Sequence, residues 1–372
     1  MRRIVWFLVS FLLWSASFAQ TNPQEIEAEI QQIREQLKAM QALQERLAQL
    51  EAQLKALQQP AAARPPTVQM SGFVQFRYTH NTAQPVDAND LQRGAARENL
   101  FLRTVRVDVL ARPRNNLLYR VNLNANNTQV SVVDAFIQWR LQKGQVQAGL
   151  FRVPLLYETL ESNADRLTPE ASRLTEVLFP TERDVGVAYT YPLDRRANLT
   201  VGIFTGDRSS ATQQSLTSRK SELVRFTYQA SPTLNLWAGG MFGEGRTSIG
   251  GTPANYTRNR WGAGILWTTP QWGLRSELIW GKHAGTTLTR RTVDVQGGYL
   301  LLSYALPHSD WLLYGRYDAF DSDTATPNNT FTRYGLGIQY QPEPATRFNL
   351  TWEHQMEPAS NDQLTLQVQV RY

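Results

Sequence analysis

From residue 68 to the last residue, the sequence switches between apolar and polar side chains at every second position. Val68, Met70, Val74, Phe76 and Tyr78 alternate with Gln69, Ser71, Gln75 and Arg77. A period of two predicts a strand with one apolar and one polar face. Sixteen segments have this pattern, near 68–78, 99–111, 117–125, 130–140, 145–152, 183–191, 197–205, 221–229, 234–242, 258–268, 272–282, 293–304, 311–320, 331–340, 346–354 and 364–372. Every second connection is short: Arg112–Asn116, Leu141–Gly144, Pro192–Arg196, Ala230–Thr233, Thr269–Gln271, Ala305–Asp310 and Gln341–Ala345. The others are long and polar (79–98, 153–182, 206–220, 243–257, 283–292, 321–330 and 355–363), except a short link at Asn126–Gln129. An even strand count with short turns at one end and long loops at the other is the layout of a barrel that crosses a membrane. A soluble sandwich would not sort its connections by length so regularly.

The apolar parity agrees. The expected outer faces read Leu117, Tyr119, Val121, Leu123 in the third segment and Trp261, Ala263, Ile265, Trp267 in the tenth. The last reads Leu364, Leu366, Val368, Val370, Tyr372. Ten Trp, fourteen Tyr and fifteen Phe sit in a chain of mean hydropathy −0.40, which suits a wall apolar on one side only. No later segment approaches a run of about 18 apolar residues, so no membrane-spanning helix is expected. Unpaired strand edges cannot be satisfied in hydrocarbon, so the sheet must close. The fold class read from the sequence is all-β: a 16-stranded antiparallel transmembrane β-barrel over 68–372, preceded by an N-terminal α-helical coiled coil.

That preceding region has three parts. Met1-Arg2-Arg3, an apolar run from Ile4 to Trp14 and the small residues Ser15, Ala16, Ser17 and Ala19 describe a secretory signal peptide over 1–19. Within 20–58, the apolar positions Ile26, Ile30, Ile33, Leu37, Met40, Leu43, Leu47, Leu50, Leu54 and Leu57 are spaced by fours and threes. One discontinuity, at 37, 40 and 43, breaks this heptad seam. So narrow a stripe needs a partner helix, hence a coiled-coil stalk on the periplasmic side. Residues 59–67, Gln-Pro-Ala-Ala-Ala-Arg-Pro-Pro-Thr, read as a short stiff linker.

The opposite parity of the strands is basic. It carries Arg77, Arg106, Arg120, Arg140, Arg225, Arg260, Arg275, Arg316, Arg333, Arg347 and Arg371, with Asp108, Asp134, Asp184, Glu277, Asp294, Asp318 and Glu353. Net charge is +6, with 33 Arg against 5 Lys, and the arginine fork pairs oxyanions bidentately. A barrel of this size leaves an aqueous interior, so these side chains are expected to line it. Arginine rings would favour anions, while local pairs such as Arg106/Asp108 and Arg316/Asp318 would only brace the wall. The 153–182 loop is the longest connection. Its Leu155, Leu156, Tyr157, Leu160, Leu167 and Leu174 would be poorly placed in water, so it is expected to fold inward and narrow the interior. It carries Glu158, Glu161, Asp165, Glu170 and Glu176 against Arg166 and Arg173, an acidic balance opposed to the basic wall.

The barrel region resembles the phosphate-selective porin family of the O and P type. The resemblance rests on Gly72-Phe73-Val74-Gln75-Phe76-Arg77-Tyr78, Leu102-Arg103-Thr104-Val105-Arg106-Val107 and Asp134-Ala135-Phe136-Ile137. Its most specific stretch is Gly149-Leu150-Phe151-Arg152-Val153-Pro154, then Glu158, Ser162 and Arg183-Asp184-Val185-Gly186-Val187. Val201-Gly202-Ile203-Phe204-Thr205-Gly206 also fits, with Thr where the family tends to Asn. The resemblance implies a trimeric sixteen-stranded porin whose third loop lines the constriction, and trimerisation would give the stalk helix its partners. The family's selectivity implies lysines and arginines at the constriction. This chain has no Lys between Lys143 and Lys220, so phosphate as the solute is not carried over.

The expected function is therefore an outer-membrane channel for passive diffusion of ions and small hydrophilic solutes, with an anion preference. The expected partners are outer-membrane lipid, two further copies of the chain through barrel walls and stalk, and the barrel-insertion machinery, which would read the terminal strand ending on Tyr372. Nothing suggests nucleic acid. An enzyme is not expected: His80, His283, His308 and His354 are scattered, and no Gly-x-Ser-x-Gly, phosphate loop, metal-spaced His pair or cofactor motif occurs. The alternative from another class is a structural barrel tethering the outer membrane to the cell wall through its coiled coil. The absence of cysteine rules out a disulfide frame.

Overall fold

The computed structural model describes residues 23–58, 67–83, 98–125, 129–206, 220–356 and 360–372. Two units are distinct, Met1–Arg64 and Pro65–Tyr372. In the first, helix α1 runs Pro23–Gln58. Along its apolar stripe, Ile30, Leu37, Met40, Leu43, Leu47 and Leu50 are exposed. The expected signal peptide, and the linker apart from its last residue, lie outside the described residues.

The second unit is a closed antiparallel barrel of sixteen strands. In chain order they are β1 (Thr67–Asn81), β2 (Glu98–Arg114), β3 (Leu117–Ala125), β4 (Val130–Arg140), β5 (Gln145–Arg152), β6 (Arg183–Pro192), β7 (Ala197–Phe204), β8 (Ser221–Ser231) and β9 (Leu234–Phe242). A separate hairpin of β10 (Glu244–Ile249) and β11 (Thr252–Thr257) interrupts the sequence, and β9 pairs onward with β12 (Arg260–Thr268). Then follow β13 (Trp272–Ala284), β14 (Thr292–Ala305), β15 (Trp311–Asp321), β16 (Thr330–Glu343), β17 (Thr346–Gln355) and β18 (Asn361–Arg371), and β18 closes on β1 with Phe73 opposite Arg371. Sequence reading took 243–257 as plain loop. The hairpin there turns on Gly250 and Gly251, both at positive φ (57° and 80°), and is too short to show a period.

The tight turns carry the chemistry their geometry needs. Gly144, at φ 82°, closes the β4–β5 turn in a left-handed conformation that side chains disfavour. In the β6–β7 turn the Asp194 carboxylate accepts the amides of Arg196 and Ala197 at 2.6 and 2.7 Å.

The outer wall is apolar, with aromatic rings gathered at two levels. At the short-turn end Trp272 packs on Tyr304 and Trp311 on Tyr340, each with ring centres 4.5 Å apart. Toward the long-loop end stand Trp261 opposite Trp280, Tyr317 beside Tyr334, and Trp352 stacked on His354. Trp272 and Trp280 lie on one strand, separated by about 27 Å of its length at roughly 3.4 Å per residue. A tilt of about 40° leaves roughly 20 Å of height, and the ring widths extend this to the apolar band of about 25 Å that an outer membrane requires.

One inward assignment is corrected. Asp294 pairs across β13–β14 with Lys282, on the outward parity beyond Trp280, and their side chains meet at 2.8 Å. Its inward-pointing neighbours are Val293 and Val295, both buried. The parity count from sequence slipped by one position at that strand's start, and a slip of one exchanges faces.

Candidate functional site

The connection between β5 and β6 lies inside the barrel. It forms two short helices, α2 (Tyr157–Leu160) and α3 (Arg173–Leu178). Leu155, Leu156, Leu174, Leu178 and Phe179 are almost wholly buried against inward side chains such as Trp237, Met241, Ile279, Tyr299 and Phe320. Each such burial contributes about 1.5–3 kcal/mol, which water outside the barrel could not supply. The loop thus fills part of the interior.

Carboxylates of the wall hold both helices by their N-termini. Fully buried Glu277 of β13 accepts four hydrogen bonds: from the amides of Tyr157 and Glu158 at 2.6 and 3.0 Å, from Trp237 Nε1 at 2.8 Å and from the Tyr299 hydroxyl at 2.6 Å. Asp318 of β15 accepts the Arg173 amide at 3.0 Å. The free N–H groups and the dipole of a helix start both favour a carboxylate there. Gly264 makes room for the first anchor, since a Cβ at that position would lie 2.2 Å from Trp237 Nε1.

Wall arginines bind the rest of the loop. Arg77 of β1 and Arg103 of β2 both grip Glu170, the latter at 3.0 Å, and Arg77 also donates to the Pro169 carbonyl at 2.8 Å. Arg316 donates to Thr168 Oγ1 at 3.0 Å, to the Glu170 carbonyl at 2.8 Å and to Glu353 at 2.6 Å. Arg333 joins Asp318 at 2.6 Å and the Ala171 carbonyl at 2.7 Å. Arg275 pairs with Glu161 at 2.9 Å, Arg371 with Asp165 at 2.7 Å, and Arg260 donates to the Leu178 carbonyl at 2.5 Å. Within the loop, Arg166 pairs with Glu182, Arg173 reaches Glu176 at 3.4 Å, and Glu158 accepts the amide and hydroxyl of Ser172.

These contacts dispose of the loop's acidity. Burial opposes charge on Glu170, but the guanidinium groups of Arg103 and Arg77 override it and hold the carboxyl well below the ordinary carboxylate range. Glu158 is likewise lowered: burial opposes its charge, and Arg166 and the Ser172 hydrogen bond outweigh that. The loop acids are engaged, Glu161, Asp165 and Glu170 by wall arginines and Glu158, Glu176 and Glu182 by donors within the loop.

Beside the loop, the sector from β18 through β1 to β6 is left open as a cavity and is basic. Arg120 pairs with Asp108 at 2.8 Å, Arg183 with Asp134 at 2.7 Å and Arg152 with Glu182 at 2.5 Å. They border a cavity of about 310 Å³ that Arg106 and Arg371 also line. Two inward arginines have no hydrogen-bond or carboxylate partner among the described residues. Arg106 lies 5.8 Å from the Phe73 ring centre, and Arg225 sits between the Tyr157 and Trp237 rings at 5.1 and 5.5 Å. Arg347 donates to the Gln369 side-chain oxygen at 3.2 Å.

Of the arginines expected inside, all but Arg140 stand in this arrangement. Arg140 keeps the inward parity but is the last residue of β4, exposed beside the short turn. Parity alone missed Arg103, because a β-bulge between Gln75/Phe76 and Thr104/Leu102 leaves Arg103 as the extra residue and lets it reach Glu170. Arg152, Arg183 and Glu182 were missed at strand ends, although the first two fall in the stretches that carry the family resemblance. His354 stands on the outward parity, its ring 2.9 Å from Asp362.

A closed sixteen-stranded barrel with an in-folded third loop matches the family model described as phosphate-selective porin O and P, over residues 74–371. The chain belongs to that family. It is an outer-membrane porin, a channel rather than an enzyme. No curated protein sequence matches it. Among solved structures, the porin is similar to the anion-selective porin from Comamonas acidovorans, at 13% identity and TM-score 0.62, covering 82% of this chain and 100% of that one. It is similar to the in-vitro folded trimer form of OmpT, an outer membrane protein of Vibrio cholerae, at 10% identity and TM-score 0.61, covering 83% and 100%. The loop-deleted OmpT of the same organism matches at 12% identity and TM-score 0.57, covering 82% and 99%. Identities this low speak for the fold alone.

Proposed function

We propose that the porin is an anion-preferring diffusion channel for small hydrophilic solutes. The observation that carries this reading is the asymmetry of unpaired charge. Every carboxylate of the third loop is engaged by guanidinium, hydroxyl or amide donors, whereas Arg106 and Arg225 have no anionic partner among the described residues. The field along the open sector is then set by cations. The pore-lining set is Arg77, Arg106, Arg120, Arg225, Arg260, Arg275, Arg316, Arg333 and Arg347, with Glu158, Glu161, Asp165, Arg166, Glu170 and Arg173 in the constricting loop. Arg140 belongs to the short-turn mouth.

The remaining parts follow the sequence. Residues 1–19 act as an export signal, and 20–58 form a periplasmic stalk that pairs as a three-stranded coiled coil, a reading supported by the exposed apolar side chains of Leu37, Met40, Leu43, Leu47 and Leu50 on α1. The trimer form of the OmpT structure, which shares the fold, supports the same stoichiometry here. The terminal strand serves insertion into the outer membrane. Planar-bilayer conductance tests the reading, with reversal potential taken across a potassium chloride gradient. Chloride preference is expected. Potassium preference would overturn it, by returning the field to the acidic loop.

A further inference from the structure

The open-sector cavity of about 310 Å³ lies at the lower end of ligand-site sizes. Five guanidinium groups border it, and four are already held by carboxylates. Only Arg106 is uncommitted. Its side chain is buried (6 % exposed), its Nε meets no partner, and its guanidinium is steadied over Phe73. No residue of the protein accepts a hydrogen bond from its Nη groups among the described residues, and these groups border the cavity.

We infer that Arg106 is the anchor of a binding subsite for small organic monocarboxylates passing through the pore. The inference rests on the anion-preferring reading above. The guanidinium fork offers two parallel N–H donors at the spacing of one carboxylate. Arg106 is the one guanidinium in the cavity lining without a carboxylate partner among the described residues, which suits a ligand with a single carboxylate. A dianion such as hydrogen phosphate would need a second free cation, and would instead meet Asp108 and Asp165 in the cavity lining. Phe73 and Leu160 give a short apolar tail a surface, and Ser71 and Ser162 can bond a hydroxyl on it. The chemistry recognised is thus a carboxylate on a small, partly apolar body.

The test is block of single-channel chloride current in planar bilayers by sodium butyrate, with inorganic phosphate as the comparison probe. In the wild-type porin, butyrate should block at a lower concentration than phosphate. Arg106→Gln should raise the half-blocking butyrate concentration by roughly tenfold or more, the range for loss of a charge-assisted hydrogen bond, and raise the phosphate value by a smaller factor. Arg106→Lys, which keeps the charge and the strand but loses the fork, should retain chloride preference and recover only part of the butyrate block. Tighter block by phosphate than by butyrate, or equal butyrate block in wild type and both variants, would overturn the assignment. A potassium-selective wild type would sink the underlying reading instead, and the reversal potential separates the two failures.

Discussion

Replacing Glu277 by alanine isolates what holds the third loop inside the barrel. The substitution strips four buried donors of their acceptor: the amides of Tyr157 and Glu158, Trp237 Nε1 and the Tyr299 hydroxyl. A buried donor left unpaired costs about 1–3 kcal/mol. Water from the lumen can reach part of the vacated space, so the low end applies, and four donors sum to about 4 kcal/mol. At about 1.4 kcal/mol per factor of ten, the ratio of docked to undocked states of the α2 segment falls by roughly a thousandfold. The α3 half keeps Asp318, Arg333 and the Glu170 clamp, so it should stay docked. The assay is single-channel recording on protein whose barrel is first shown to be folded by its heat-modifiable gel shift. The expected result is larger unitary conductance with frequent flickering. Glu277→Gln keeps the shape and an accepting oxygen but turns an amide donor toward other donors, so it should fall between. A folded Glu277→Ala barrel with wild-type conductance and quiet open channels would refute the reasoning.

Three further outcomes follow from the same contacts. Glu170 has a carboxyl pKa depressed by Arg103 and Arg77, so its contribution to docking is complete above the ordinary carboxylate range and is lost only as pH falls through its own lowered value; conductance should stay constant from pH 8 to pH 5, and opening within that window would contradict the clamp. Gly264→Ala puts a methyl 2.2 Å from Trp237 Nε1 and 3.0 Å from Glu277 Cγ; a loss of about 1–3 kcal/mol is expected for such overpacking, read as a lower midpoint in the heat-modifiability curve. Leu43→Glu with Leu47→Glu charges the stalk seam; chemical cross-linking should then trap fewer trimers while unitary conductance is unchanged, and undiminished trimer yield would remove the stalk from assembly.

The two elements the sequence could not yield, the bulge at Arg103 and the Glu277 cradle, share a cause. Each is decided by pairing between positions far apart in the chain. A bulge inserts one residue into a run whose alternation otherwise looks unbroken, so counting by two sends Arg103 to the lipid side, while the register against β1 sends it inward. Glu277 looked like one more wall carboxylate. Its role appears only when a loop some 120 positions earlier folds against it. Arg152 and Arg183 fell between strand and loop, where no periodicity applies, and only the family resemblance marked their surroundings.

What the sequence determined by itself is the barrel: sixteen strands, their alternating faces, the sorting of short turns from long loops, and the inward parity of Arg77, Arg106, Arg225, Arg316 and Arg333. These are local properties, because a period of two needs only neighbours and a bilayer needs only one apolar face. The tertiary structure alone decided which of the interior charges are spent. An acidic loop and a basic wall have the same composition whether they face each other or the water. Ion pairing depends on contacts of a few ångströms, and it is the closed barrel that brings Glu170 to Arg77 and Arg103, Glu161 to Arg275 and Asp165 to Arg371, and leaves Arg106 facing the cavity without a carboxylate partner among the described residues.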